Sequence, residues 1–444
     1  MKREFAMTAF QKLVVPIETC YKYLLAFLLS IFILGGVLYS MYLGNTLRYP
    51  DEQEYYTISR HLLHTPRYSL DGQTSTTARP PFYPFVLSAL GLFKAQIFHL
   101  RILNFAALAA SALILGRIVK KQTLRDGGLL ALILVICYPV LFYTAGTLYP
   151  QTIGALLFLT SILLLINSIA ARSIPYIAGL VFGCLILTIP SFILTLLCLT
   201  VFLLIIGPDR LTLEQIDARG RIPRVQESKA LSFTRIICIF SIIAIIPAFM
   251  WSIRNYSVTG RLVFVSSNSG LNLLLGNSEN TTPNSGVNVD ISKYTAQMTS
   301  MDEVDRDKFY GVKAIEWIEN NKVPALKLYM LKALNYFNYH NQLYVQSESS
   351  SLRDILMFIT YYPLLSLLFI RILLMKYFPL SAIEKLFIFL YLTNALISAI
   401  FFTRVRFRLP FDFLLIGLVV TSLERARLYY STRMRSLKTM ALMR

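Results

Sequence analysis

The stretch that most restricts what this chain can fold into is Tyr23–Leu43, an almost unbroken apolar run. A helix of roughly 20 apolar residues reaches across the hydrocarbon core of a bilayer. Backbone in that environment satisfies its polar groups only as a helix or a closed barrel. The pattern recurs at Ile97–Val119, Gly128–Gly146, Thr152–Ala170, Tyr176–Leu203, Phe233–Ile253, Ile355–Leu374, Leu386–Phe402 and Pro410–Leu423. Pro190 divides the longest of these, which reads as two spans meeting outside the membrane. The expectation is an all-α polytopic membrane protein: a bundle of about ten transmembrane helices with a small α-rich portion outside the bilayer.

Charge supports that class and excludes another. Only 15% of the 444 residues are charged, against about 25% in soluble domains. The net charge of +19 does not point to nucleic acid, because it is sorted by loop. Lys120, Lys121, Arg125, Arg172, the stretch Arg210–Arg235, Lys376, Lys385 and the tail from Arg425 to Arg444 all fall on one side of the predicted spans. Basic loops mark the cytoplasmic face, and anionic membrane lipid is the natural contact of the tail. Met1–Lys12 is basic too, so the first span reads as an uncleaved signal anchor.

Three regions follow. Residues 1–253 form a transmembrane module whose first outer loop is 44–96, residues 254–353 an extracytoplasmic loop region, and residues 354–444 the last spans and basic tail. Within the second, Asp302–Asn320 and Lys322–Tyr339 read as helices of a lid resting on the spans. Cys20, Cys137, Cys184, Cys198 and Cys238 lie in or beside apolar runs and read as small buried hydrophobes. No His or Cys spacing indicates a structural zinc site.

The polar chemistry concentrates in Tyr49–Pro84. Asp51, Glu52 and Glu54 come directly after the first span, and Glu52–Leu63 has the spacing of an interfacial amphipathic helix. Pro50 would lie just outside that helix and Asp51 near its N-cap. From spacing, Asp51 is equally a cap and a catalytic carboxylate, and Glu52 complements the helix dipole in either case. Arg79 precedes Pro80-Pro81, a pair that stiffens the backbone around it. Arg404, Arg406 and Arg408 alternate in a loop assigned to the outer face, against the charge rule. They read either as an interfacial girdle, Arg408 in particular lying among lipid headgroups, or as a clamp whose guanidinium forks bind phosphate.

These motifs, in this order, resemble the GT-C superfamily of polytopic glycosyltransferases, in particular its ArnT-like and protein O-mannosyltransferase-like branch. The resemblance is carried by Asp51-Glu52 with Tyr55, by Arg79-Pro80-Pro81 with Tyr83-Pro84, by Trp251–Tyr256 through Gly270–Leu273 to Gly276-Asn277, and by Arg406-Phe407-Arg408-Leu409-Pro410. It extends over nearly the whole chain. Where many relatives have Glu at the start of the fourth span, this chain has Gln151, which receives no catalytic role.

The resemblance implies transfer of a sugar, with inversion, from a polyprenyl-phosphate-linked donor to an extracytoplasmic glycan, lipid or protein hydroxyl, at the inner membrane of a bacterium. Asp51 and Glu52 would be catalytic, with Arg79, Tyr55, Tyr83, Arg254, Asn255, Arg404 and Arg406 binding substrate. A divalent metal (Mg or Mn) on Asp51 and Glu52 stays open, since two adjacent carboxylates do not establish a site. The alternative is a non-catalytic scaffold or a lipid or oligosaccharide transporter, for which ionisable residues should line a path through the spans.

Overall fold

The computed structural model describes residues 2–65, 67–123, 127–207, 232–298, 300–340 and 350–442. Among them there is no strand, and the helices follow the apolar runs. In order they are α1 (Lys2–Leu43), α2 (Pro50–His64), α3 (Phe82–Gly91), α4 (Ile97–Thr123), α5 (Gly128–Ile136), α6 (Pro139–Ala145), α7 (Gln151–Ala171), α8 (Tyr176–Ile186) and α9 (Phe192–Ile206). Then come α10 (Phe233–Thr259), α11 (Ser269–Gly276), α12 (Glu303–Asn320), α13 (Lys322–Asn335), α14 (Ser351–Leu373), α15 (Ala382–Ile400) and α16 (Val405–Leu442). Arg125 and most of Arg210–Arg235 lie outside the described residues.

Among the described residues six segments are long and apolar enough to cross a membrane: Thr19–Leu43, Ile97–Lys121, Gln151–Ala171, Phe233–Thr259, Ser351–Lys376 and Ala382–Ile400. The chain is therefore built as a multi-pass helical membrane protein, with six helices of span length, or seven if one bent pair is a single span, where about ten spans were expected. Gly128–Gly146 breaks into α5 and α6 with an 80° bend. Pro139 opens α6, where its missing N–H costs nothing. The stretch around Pro190 yields α8 and α9, of 11 and 15 residues, both shorter than a full span. The last apolar stretch starts earlier than expected: α16 begins at Val405 and carries Arg406, Arg408 and Asp412 in its first turns.

A single large core joins α4, α5, α7, α8, α9, α10, α14, α15 and α16. Outside it, large apolar side chains such as Phe27, Leu34, Ile246 and Phe249 stay exposed, as a lipid-facing surface requires. The end of α1 and the start of α4 are joined when Arg101 donates to Gly44 O at 2.5 Å. The start of α7 joins them through Glu52 and Leu148 N at 2.7 Å, and the end of α10 through Arg254 and Thr76 O at 2.9 Å. These contacts define one end of the bundle, here called the α2 end. Asn277 Nδ2 brings the end of α15 to it by donating to Ile400 O at 2.9 Å. At the opposite end Arg371 pairs with Glu384 at 2.7 Å, with Arg425 alongside.

The two expected extramembrane helices are α12 and α13. Asp302 caps α12, accepting from Val304 N and Asp305 N. With α11 and the segment holding Tyr294, α12 forms a small apolar nucleus around Leu274, Tyr294 and Ala314.

The charge-based expectation is that the α2 end faces the outside of the cell. In a chain with its five cysteines replaced by serine, Gln73→Cys and Ser300→Cys, both at exposed positions, should react with an impermeant thiol reagent on intact cells. Ser173→Cys, exposed beyond the far end of α7, should react only after lysis. The reverse labelling would invert the orientation.

Candidate functional site

Arg79 and Arg406 meet on one carboxylate. Arg79 Nη2 lies 2.5 Å from Asp51 Oδ1, and Arg406 Nη1 lies 2.8 Å from Asp51 Oδ2. Arg79 Nε also pairs with Glu54 Oε2 at 2.5 Å. The guanidinium of Arg79 sits over Tyr55, 5.4 Å from the ring centroid, and that of Arg406 over Tyr149 at 5.0 Å. With side chains of Asp51, Arg79 and Arg406 only 17–24% exposed, these charges interact with modest solvent screening.

The helix that carries Asp51 starts two residues earlier than expected. Pro50 is its first residue, where a proline fits, and Tyr49 is the N-cap. Asp51 thus lies inside the helix and its carboxylate makes no cap; both oxygens go to guanidiniums. Burial pushes the Asp51 carboxyl up, but Arg406 and Arg79 outweigh it and hold it below its ordinary value.

Glu52 points elsewhere and is 1% exposed. Its Oε2 accepts from Arg48 N (2.8 Å) and Tyr49 N (3.1 Å), and its Oε1 from Leu148 N (2.7 Å). It closes the start of α2 and ties it to the turn before α7. A carboxylate committed to three backbone donors has no free edge for a reacting hydroxyl. It also does not converge with Asp51, whose own oxygens are taken by arginines, so the pair does not fit a divalent cation as arranged. Among the described residues no group of three or more His, Cys, Asp or Glu is placed to hold a metal ion.

The remaining expected binding residues divide into facing and framing groups. Tyr55 faces Arg79 and meets Tyr83 edge-on at 5.4 Å. Tyr83 is fully buried. Arg254 clamps the first loop to α10, donating to Thr76 O and lying over Trp251 at 4.7 Å. Asn255 is also fully buried and donates to Val263 O and Val265 O, which shapes the turn after α10. Both therefore hold the loops that frame the cluster. Gln151 is buried at the start of α7.

Of the alternating arginines, Arg406 joins Asp51, while Arg404 stands beside it. Burial and then repulsion from Arg406 pull the Arg404 guanidinium down to about 10. Arg408 corrects the expectation of a headgroup residue. It is 1% exposed, pairs with Asp412 at 3.0 Å one helical turn on, and donates to Tyr336 O and Asn338 O. The ring of Tyr361 lies 3.6 Å from its guanidinium carbon. On a helix, residues 406 and 408 point about 200° apart, which separates a pair that looks equivalent in the sequence.

Two supports of the cluster had no signal strong enough to find in sequence. The hydroxyl of Tyr68 bonds to Arg79 O and Pro80 O at 3.0 and 3.1 Å, fixing the arginine's backbone. Lys332, on α13 and fully buried, donates to Gly276 O (2.7 Å), Asn277 Oδ1 (3.1 Å) and Phe401 O (2.7 Å). It pins the loop that carries Arg404 to the end of α11. Gly276 makes that approach feasible, since a Cβ there would lie 1.8 Å from Phe401 O. Gly286, with φ +56°, likewise makes room for Arg404.

No protein-family model matches this chain, and no curated protein matches it in sequence.

Burial pulls the Lys332 ammonium down to about 7. Between that value and an unfolded value of about 10.4 the unfolded chain binds more protons, so stability should rise with pH over this window. Thermal unfolding in detergent should show that rise in the wild type and lose it in Lys332→Met. The variant also strands three buried acceptors, each costing about 1–3 kcal/mol. An unchanged pH slope in Lys332→Met would assign the titration to another group.

Proposed function

We propose that the α2 end is the site of a GT-C-like glycosyltransferase. It takes a sugar from a polyprenyl-phosphate-linked donor and passes it to an extracytoplasmic hydroxyl of a glycan, lipid or protein. What supports this reading is the convergence of Arg79 and Arg406 on Asp51 at the mouth of a multi-span bundle. A guanidinium fork suits a phosphate group, and two forks aligned before the ligand arrives lose less on binding it. Arg406 still has a donor to offer: its Nε is buried without a hydrogen-bond partner among the described residues.

In this reading the bond between the anomeric carbon and the phosphate oxygen breaks with its electron pair leaving on phosphate. The acceptor oxygen bonds to that carbon from the opposite face, and its proton needs a base. Asp51, held low by two arginines, is a poor one. The departing phosphate monoester has a second pKa of about 6 and is the better proton acceptor. Asp51 then serves by aligning both forks, which stabilise the charge developing on the leaving group. Arg404 adds positive potential beside them, and Tyr55 and Tyr149 give the forks aromatic backing. The transporter or scaffold alternative gains nothing from the cluster, which lies at the boundary and closes on itself.

The test is transfer from a labelled polyprenyl-phosphate sugar by purified protein, measured against donor concentration. Arg79→Lys and Arg406→Lys keep the charge but lose the fork. Each should lower turnover or donor affinity roughly tenfold to a hundredfold, the equivalent of one charge-assisted contact. Asp51→Asn leaves two guanidiniums opposed and should reduce transfer by a similar factor or more. Wild-type kinetics in both lysine variants would return these arginines to a purely structural role.

A further inference from the structure

The opposite face of α2 borders a second feature, independent of the transferase reading. Asp51, Tyr55 and Ile58 lie on the side of the arginine cluster, whereas Tyr56, Arg60 and Leu63 lie half a turn away. That second face forms one wall of a cavity of about 590 Å³. Its other walls are the turn after α3, with Lys94, and the entry to α4, with Gln96; Asn45 closes it from the end of α1. Arg60, His64 and Lys94 bring basic groups to the lining, which contains no Asp or Glu. Among the described residues none of the three has a carboxylate within salt-bridge range. This contrasts with Arg79 and Arg406, each of which is paired.

Two observations say what the cavity faces. It opens where the spans Thr19–Leu43 and Ile97–Lys121 both end, which is the membrane boundary. Directly beside Lys94, Leu92 and Phe93 are 72% and 82% exposed, large apolar side chains with no protein cover. A cavity with basic walls and an apolar lip at that depth matches an anionic lipid, headgroup inside and acyl chains alongside. Lys94 also has a left-handed backbone, φ +57°, at a helix end where glycine is the usual residue. The turn alone would favour glycine there, as it would at Arg172, which has φ +49° at the end of α7.

We propose that the cavity between α2, α3 and α4 is a binding site for the phosphate-bearing headgroup of an anionic membrane lipid. Arg60 and Lys94 supply the charge-assisted contacts, and Asn45 and Gln96, whose side chains bond to each other at 3.2 Å, form the polar rim. The occupant is a resident lipid rather than a soluble phosphate, because the apolar lip has no use for a free ion. Such a lipid would brace α2 from the side opposite Asp51.

The experiment uses the full chain reconstituted in phosphatidylcholine vesicles with and without phosphatidylglycerol, the retained lipid being read by native mass spectrometry during titration. The wild type should keep one phosphatidylglycerol more tightly than the general annulus. Arg60→Gln and Lys94→Gly should each weaken that molecule roughly tenfold to a hundredfold, one charge-assisted contact apiece. Lys94→Gly is informative because it relaxes the backbone while removing the charge, so loss of lipid cannot come from a damaged turn. Lys308→Gln, at an exposed position on α12, controls for net charge and should bind as the wild type does. Undiminished retention in Arg60→Gln and Lys94→Gly together would overturn the site. Equal retention of phosphatidylcholine, or displacement by inorganic phosphate, would overturn the anionic-lipid assignment.

Discussion

The carboxylate of Asp51, shared between Arg79 and Arg406, joins three parts of the chain that lie far apart in sequence. Asp51 and Arg79 are 28 residues apart, and Arg406 follows 355 residues after Asp51. An ion pair at such a distance does not organise a fold by itself, because its Coulomb energy only offsets the desolvation of its members. The surrounding bonds have to hold each partner in place. Glu52 fixes the start of α2, Tyr68 fixes the backbone of Arg79, and Lys332 fixes the loop before α16. Removing any one of these leaves the charges present but misaligned. Removing Asp51 leaves two partly buried cations without their common anion, the costlier way to break such an arrangement.

The interior contains more charge than the sequence suggests, and its placement bears on function. Arg408 and Asp412 are fully buried, and Tyr138 adds a hydrogen bond to Asp412 at 2.8 Å. A transport path needs polar groups that stay available to a moving solute. Here the donors and acceptors are consumed by one another and by backbone carbonyls at the end of α13. The Arg371–Glu384 pair at the far end is closed in the same way, with both Arg371 and Arg425 on one carboxylate. These knots lock helices together in an environment where an unpaired charge is prohibitively costly. The cluster at the α2 end differs because its pairs stay partly exposed at a boundary.

Long-range pairing explains which features could be read from the sequence. Apolar runs of span length gave the helical membrane architecture, since hydrophobic length is a local property. The bend at Pro139 and the early start of α16 were not legible, because both depend on what the helix packs against. The same limit separated Glu52 from Asp51: adjacent carboxylates on a helix point about 100° apart, and only the fold decides that one meets backbone amides and the other guanidiniums. Arg404, Arg406 and Arg408 looked like one alternating set. Helix geometry after Val405 distributes them among a pair, a neighbour and a buried knot. Lys332 gave no warning at all, as one lysine in an amphipathic helix reads as a solvated residue until its three acceptors are found.

The short helix α2 is therefore the element on which the two faces of this end depend. One face is loaded with opposed charges that are nearly balanced, so any anion arriving there competes with Asp51 for guanidiniums already in position. The other face is basic, with no carboxylate paired to it among the described residues. A helix of 15 residues has little intrinsic stability in water. It persists here because Ile58 and Tyr55 are buried and Glu52 closes its first turn. On the two proposals made above, aligning the forks and bracing the helix both act through α2.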